Sequence, residues 1–289
     1  MLSGARAPPP GLCQNPFLLD RDGRGPRGPA GERRVAAPTS RLTTRHVFIE
    51  GARPVLEALR AQRRAVFELW IPSNARSAAQ RELVSLANER KLPVHEAGRS
   101  REIRARAAPL PEPSFEEILV ELGSPRLLVA LDGVTDVGNL GSIARSAETA
   151  GAQALVLEHR RSPPLSAAAL RASAGALEHL PLARAPNLGR ALDLARNEGC
   201  AVLAADPTGD PLDHVSPEIL RGDVVWLLGS EDLGIRRGLL ERATSRVAIP
   251  VWGRIPSLGV AASAAIVLHR SATARARVVE GAAGEHASR

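Results

Sequence analysis

Four short, uninterrupted apolar runs, Leu127–Leu131, Ala154–Leu157, Ala201–Ala205 and Val224–Leu228, constrain this chain most. None alternates with polar residues, as a strand with one wet face would, so each reads as a strand buried on both faces. The stretches between them are long enough to hold crossover helices, and parallel strands need such connections. The order from Pro125 onward reads strand, helix, strand, helix, helix, strand, strand, helix, strand, helix. This predicts an α/β fold with a doubly wound parallel sheet over residues 125–280, and by pattern alone an ordinary Rossmann-like domain.

Upstream the pattern is shorter in period and smaller in scale. Pro54–Arg60 and Ala75–Glu89 read as helices, Ala65–Ile71 and Leu92–His95 as strands, giving a small α/β unit over 45–108. Pro109, Pro111 and Pro113 mark a linker over 109–124. Residues 1–44 combine Pro8-Pro9-Pro10 with Gly-Arg and Gly-Pro pairs and few large apolar groups, which predicts a disordered basic tail; residues 281–289 read as a second one. Two folded domains are expected from 289 residues.

A formal charge of +7 favours an acidic partner, of which nucleic acid is the commonest. Lys91 is the only lysine, so the cationic groups are nearly all guanidinium, the head group that grips phosphate in two-point fashion. Cys13 and Cys200 are the only cysteines, with no CxxC pair and no His/Cys spacing suited to zinc, so a reducing, cytoplasmic setting without a metal is expected. No apolar run is long enough to cross a membrane, and no apolar core follows Arg6 as a secretory signal would require.

Candidate chemistry lies in three strand-to-helix loops. The first, Asp136-Val137-Gly138-Asn139-Leu140-Gly141, follows the strand ending at Leu131, with Asn139 the expected N-cap of a helix over Leu140–Ala150 that carries Arg145. The second is Gly229-Ser230-Glu231, with Glu231 placed to complement a helix dipole. The third runs from Val247-Ala248-Ile249-Pro250 to Ser257-Leu258-Gly259, with Ser257 the expected N-cap of the last helix. No GxGxxG or P-loop lysine motif competes for a cofactor.

Taken in this order, the three segments resemble the signature motifs of the SpoU (TrmH-like) RNA ribose 2′-O-methyltransferases of the SPOUT class. The stretch from Arg160 through Ala172-Ser173-Ala174-Gly175 to Pro181 is similar to the RlmB-like branch, which methylates a guanosine ribose in large-subunit ribosomal RNA. The resemblance implies a C-terminal parallel sheet with a trefoil knot, a homodimer, a small RNA-binding domain before it, and S-adenosyl-L-methionine as cofactor. It implies catalytic roles for Arg145 at the acceptor hydroxyl, for Asn139, for Glu231 as a buried group orienting Arg145, and for Ser257. Gly229, Ile249 and Leu258 match the cofactor-lining positions. Two departures stand out: Gly259 replaces the family's asparagine, and the branch's His-Gln-Gly element is missing at the domain junction. They keep a second reading open, a paralogue that binds RNA or ribosomes without methyl transfer.

Overall fold

Alternating burial builds the first sheet. In the computed structural model residues 46–286 are described, apart from 74–76, 99, 101 and 256, with side chains described as far as Ala276; the basic segment 1–44 lies outside this range. The small unit comprises β1 (Val47–Glu50), α1 (Ala52–Ala61), β2 (Val66–Ile71), α2 (Ala78–Glu89), β3 (Val94–Glu96) and β4 (Arg104–Ala107). The strand order is β1-β4-β2-β3, with β4 antiparallel to both neighbours. Along β4, Ala105 and Ala107 are buried while Arg104 and Arg106 face outward. Both helices pack on the alanine side, where Ile49, Leu56, Leu69 and Leu83 form the core. α2 begins later than expected because Ser77 and Gln80 form a reciprocal capping box that fixes its first turn. β1 and β4 have no counterpart among the expected elements.

Within the expected linker over 109–124 the structure has a helix. Ser114 accepts from the Glu117 amide and Glu117 reaches back to the Ser114 amide, starting α3 (Phe115–Glu121). Phe115, Ile118, Leu119 and Leu122 are buried against the large sheet.

That sheet is built from β5 (Leu127–Asp132), α4 (Val137–Thr149), β6 (Ala154–Glu158), α5 (Ala167–Ala172), β7 (Leu182–Ala185), α6 (Leu188–Asn197), β8 (Ala201–Pro211), α7 (Pro217–Arg221), β9 (Val224–Gly229), α8 (Arg237–Leu240), β10 (Ser245–Ala248) and α9 (Val260–His286). All paired strands are parallel, in the order β10-β8-β9-β5-β6-β7. Leu127, Val129 and Leu131 pack with α4 and α9 on one face, whereas Leu128 and Ala130 meet α3, α6 and α8 on the other. The continuous apolar runs thus serve two cores. β7 and α7 were not foreseen; both are short, and β7 alternates Leu182-Ala183-Arg184-Ala185 at the sheet edge. α9 continues as helix to His286, past the boundary expected at residue 280, extending a helix already anchored by Val267 and Leu268.

The two units meet through charge. Arg64, just before β2, points its guanidinium at Glu178, at the end of a 3₁₀ turn over Ala176–Glu178 that follows α5. Arg63 donates to the carbonyls of Leu177 and Glu178, and Arg171 of α5 pairs with Glu50 of β1. The small sheet is therefore fixed beside α5 rather than tethered by a free linker.

Candidate active site

The loops after β5, β9 and β10 all leave the carboxyl ends of parallel strands, where ligands of open α/β sheets bind. Asp132 and Gly229 are the terminal register partners of β5 and β9. Asp132 is only 2% exposed. Its carboxylate accepts from the Arg236 amide and from Arg236 Nε, both at 2.8 Å, and Arg236 Nη2 continues to Glu158 at 2.8 Å. This chain of charge-assisted bonds clamps the far end of the second loop to the sheet. The near end turns tightly: Gly234 donates to the Ser230 carbonyl at 2.9 Å.

Glu231, at the tip of that loop, joins the other two. Its Oε1 accepts from Asn139 Nδ2 at 3.3 Å and from the Val260 amide, the first of α9, at 3.1 Å. One carboxylate thus links the start of α4 to the start of α9, and its charge lies where the dipole of α9 favours an anion. The structure thus brings together Asn139, Glu231 and the Gly259–Val260 step.

Several finer expectations are corrected. Asn139 is not the N-cap of α4; Asp136 is, accepting from the Asn139 amide at 2.7 Å, so the helix starts at Val137 and the asparagine side chain is left free for Glu231. Glu231 is exposed, not buried, and no bond from it reaches Arg145. Arg145 stands six residues beyond Asn139, about 240° around the helix, on the exposed face of α4. It makes no hydrogen bond or ion pair among the described residues. Ser257 does not cap α9, which begins three residues later; Gly259 occupies the cap position, and Glu231 supplies the acceptor that the glycine lacks. A Cβ at Gly259 would stand 3.0 Å from Glu231 Oε1.

The cofactor-lining candidates separate by environment. Gly229 ends β9, and a Cβ there would fall 2.2 Å from the Gly234 carbonyl carbon. The returning loop by itself therefore demands a glycine at this position. Ile249 follows β10 and packs, half-buried, on the large core, while Leu258 is exposed. Leu233, Val251 and Ile255 are likewise exposed on the same two loops. The sequence reading missed Asp132, Asp136 and Arg236. An Asp three residues before Asn139 was a legible N-cap signal, whereas nothing local marks the pairing of Asp132 with a residue far along the chain. Among the described residues no group of side chains is arranged to hold a metal ion, and no helix is long and apolar enough to cross a membrane.

A parallel α/β sheet with three loops knitted by Glu231, preceded by a small sheet with helices on one side, matches known proteins along its length. The profile described as the SpoU rRNA Methylase family matches residues 126–269, and the one described as RNA 2′-O ribose methyltransferase substrate binding matches residues 48–101. The chain belongs to the SpoU rRNA methylase family. It is 33% identical to an uncharacterized tRNA/rRNA methyltransferase of Mycolicibacterium vanbaalenii, over 86% of this chain and 85% of the relative. It is 35% identical to the 23S rRNA (guanosine-2′-O-)-methyltransferase RlmB of a Burkholderia species, over 74% of this chain and 84% of the relative. Among solved structures, the AdoMet-bound rRNA methyltransferase of Sinorhizobium meliloti superposes with a TM-score of 0.65 at 26% identity, covering 79% of this chain and 87% of that one.

Proposed function

We propose that this protein transfers a methyl group from S-adenosyl-L-methionine to a ribose 2′-hydroxyl of ribosomal RNA, with a guanosine of the large subunit as the target. The observation that carries the reading is the junction at Glu231, which binds Asn139 of the first motif and the first amide of the third. Family membership and the RlmB relative support the RNA target.

The residues present fit the cofactor. An adenosyl group is enclosed by apolar side chains and main-chain groups, and Leu233, Val251, Ile255 and Leu258 supply unpartnered apolar surface on the loops where it would lie, with Ile249 behind them. When bound, the sulfonium supplies the electrophilic methyl. The protein's part is to place the acceptor hydroxyl and stabilise the charge that develops on it. Arg145, exposed and without a protein partner among the described residues, is available to hold a substrate phosphate and the incipient alkoxide. A guanidinium does not give up its proton in a protein, so this side chain is a charge stabiliser rather than an unaided base. Asn139, oriented by Glu231, presents its amide beside the loops, and Ser257, three residues before α9, offers a hydroxyl with no hydrogen bond among the described residues. The trefoil knot and the homodimer implied by the resemblance belong to the same reading. Comparing ribose methylation across ribosomal RNA from a deletion strain and its parent tests it: one guanosine mark in the large subunit should disappear. An unchanged map would favour binding without turnover.

A further inference from the structure

The outer face of the small sheet carries rings and an unmatched cation that the methyl-transfer site leaves unused. The register of β1, β4, β2 and β3 sets Glu50, Arg104, Trp70 and His95 side by side in one row, with Phe48 two positions before Glu50 on β1. The rings form a continuous strip: Phe48 and Trp70 centroids are 5.8 Å apart at 52°, Trp70 and His95 5.4 Å apart at 31°. Helices α1 and α2 cover the opposite face, so this strip looks outward, with Phe48 49% exposed. A one-sided sheet ordinarily places polar groups there.

Among the described residues, the charges on the face are matched except one. Arg106 pairs with Glu68, and Glu50 is held by Arg171. Arg104, in the row between Glu50 and Trp70, makes no side-chain hydrogen bond or ion pair among the described residues, and its Nε is a buried donor without a partner. Nearly all buried donors find a partner, so a guanidinium left in this state has unused bonding capacity. Flat rings accept any nucleobase by stacking, and a guanidinium accepts phosphate.

We propose that this face binds an unpaired stretch of the RNA substrate, with bases stacked on Phe48 and Trp70 and a backbone phosphate at Arg104. The proposal rests on the RNA-methylating reading and adds where, and in what state, the substrate is held. A duplex would not serve, because its bases are stacked on each other and their faces are closed to the rings. An apolar protein segment would cover the rings but leave the Arg104 charge unmatched.

The test uses the full chain and fluorescence anisotropy with a short labelled oligoadenylate and, in parallel, an RNA duplex. Phe48→Ala and Trp70→Ala should each weaken single-strand binding by about 5- to 150-fold, the span expected for one lost base stack. Phe48→Tyr should retain it, and Arg104→Gln should weaken it while flattening its salt dependence. Duplex affinity should not move. Phe48 is half-exposed, so its replacement leaves the fold intact even if that of Trp70 does not. Unchanged single-strand binding in folded Phe48→Ala and Arg104→Gln overturns the proposal, as does preferential capture of the duplex. Methyl transfer measured on the same proteins separates the two readings: transfer by the parent with no binding loss in the variants sinks only the stacking face. No transfer by the parent, with binding lost in the variants, sinks only the catalytic reading.

Discussion

Arg64→Ala removes the guanidinium that meets Glu178 where the small sheet joins the large unit. The two side chains are 2% and 1% exposed. Arg64 Nε donates to Glu178 Oε2 at 3.0 Å and Nη1 to the Ala108 carbonyl at 3.3 Å, so both charges are desolvated and each is the other's main counter-charge, with Arg63 and His179 adding weaker attraction at Glu178. Burial pushes the Glu178 carboxyl up, with Arg64 the largest opposing influence. Removing one partner of such a pair costs about 3–5 kcal/mol, against about 0–1 kcal/mol for a surface pair. We expect the larger figure at neutral pH. The cost should shrink in acid. A carboxyl whose folded-state pKa is raised contributes stability that is full below its unfolded value, about 4.3, and is lost as pH rises through the folded value. Without the arginine that rise is greater, so the variant should approach its parent as pH falls toward that of the unfolded carboxyl. Arg64→Met with Glu178→Leu should recover most of the loss by exchanging the pair for apolar volume. Urea unfolding followed by tryptophan fluorescence reads both units, since Trp70 lies in the small sheet and Trp226 is buried in the large one. A cost for Arg64→Ala below about 1 kcal/mol, or a double variant no better than the single, would refute the account of the junction.

Glu231→Ala should lower stability by about 1 kcal/mol through loss of the acceptor at α9, a melting shift of about 2–4 °C, while Glu231→Gln keeps the acceptor and the melting point; calorimetry decides. Gly259→Asn puts a Cβ 3.0 Å from Glu231 Oε1, so it should turn that carboxylate away from Asn139 and lower the methyl-transfer rate, although an asparagine can cap α9 itself. A faster enzyme would show instead that the glycine impairs a working site. A fragment spanning 112–289 should bind S-adenosyl-L-methionine as the full chain does. One spanning 124–289 should be much less stable, because it loses Phe115, Ile118, Leu119 and Leu122, each contributing about 1.5–3 kcal/mol; equal melting points for the two fragments would deny α3 its part in the core.

Much of the large sheet was legible because its central strands carry unbroken apolar runs, Leu127–Leu131 and Val224–Leu228, buried on both faces. The unforeseen strands are those where this signal fails. β1 and β7 are four-residue edge strands, and β4 hides its alternation in Arg104-Ala105-Arg106-Ala107, whose alanines are weak strand formers. The prolines at 109, 111 and 113 masked the Ser114–Glu117 capping box that follows them. At the site, the motifs located the right loops, but side-chain partners depend on tertiary placement. Asp136 took the cap that Asn139 was expected to hold, and Glu231 turned to Asn139 and Val260 instead of Arg145. The Arg64–Glu178 pair joins positions too far apart in sequence for any local pattern to announce.

The central claim is ribose methylation with Arg145 at the acceptor. Purified protein, S-adenosyl-L-methionine and unmodified large-subunit ribosomal RNA, followed by nucleoside mass spectrometry, should yield 2′-O-methylguanosine at one position. In the same assay Arg145→Ala should lose about 100- to 1,000-fold in kcat while cofactor affinity, measured by calorimetry, stays within a few-fold. A methyl group on a base, no transfer at all, or full activity in Arg145→Ala would contradict the account.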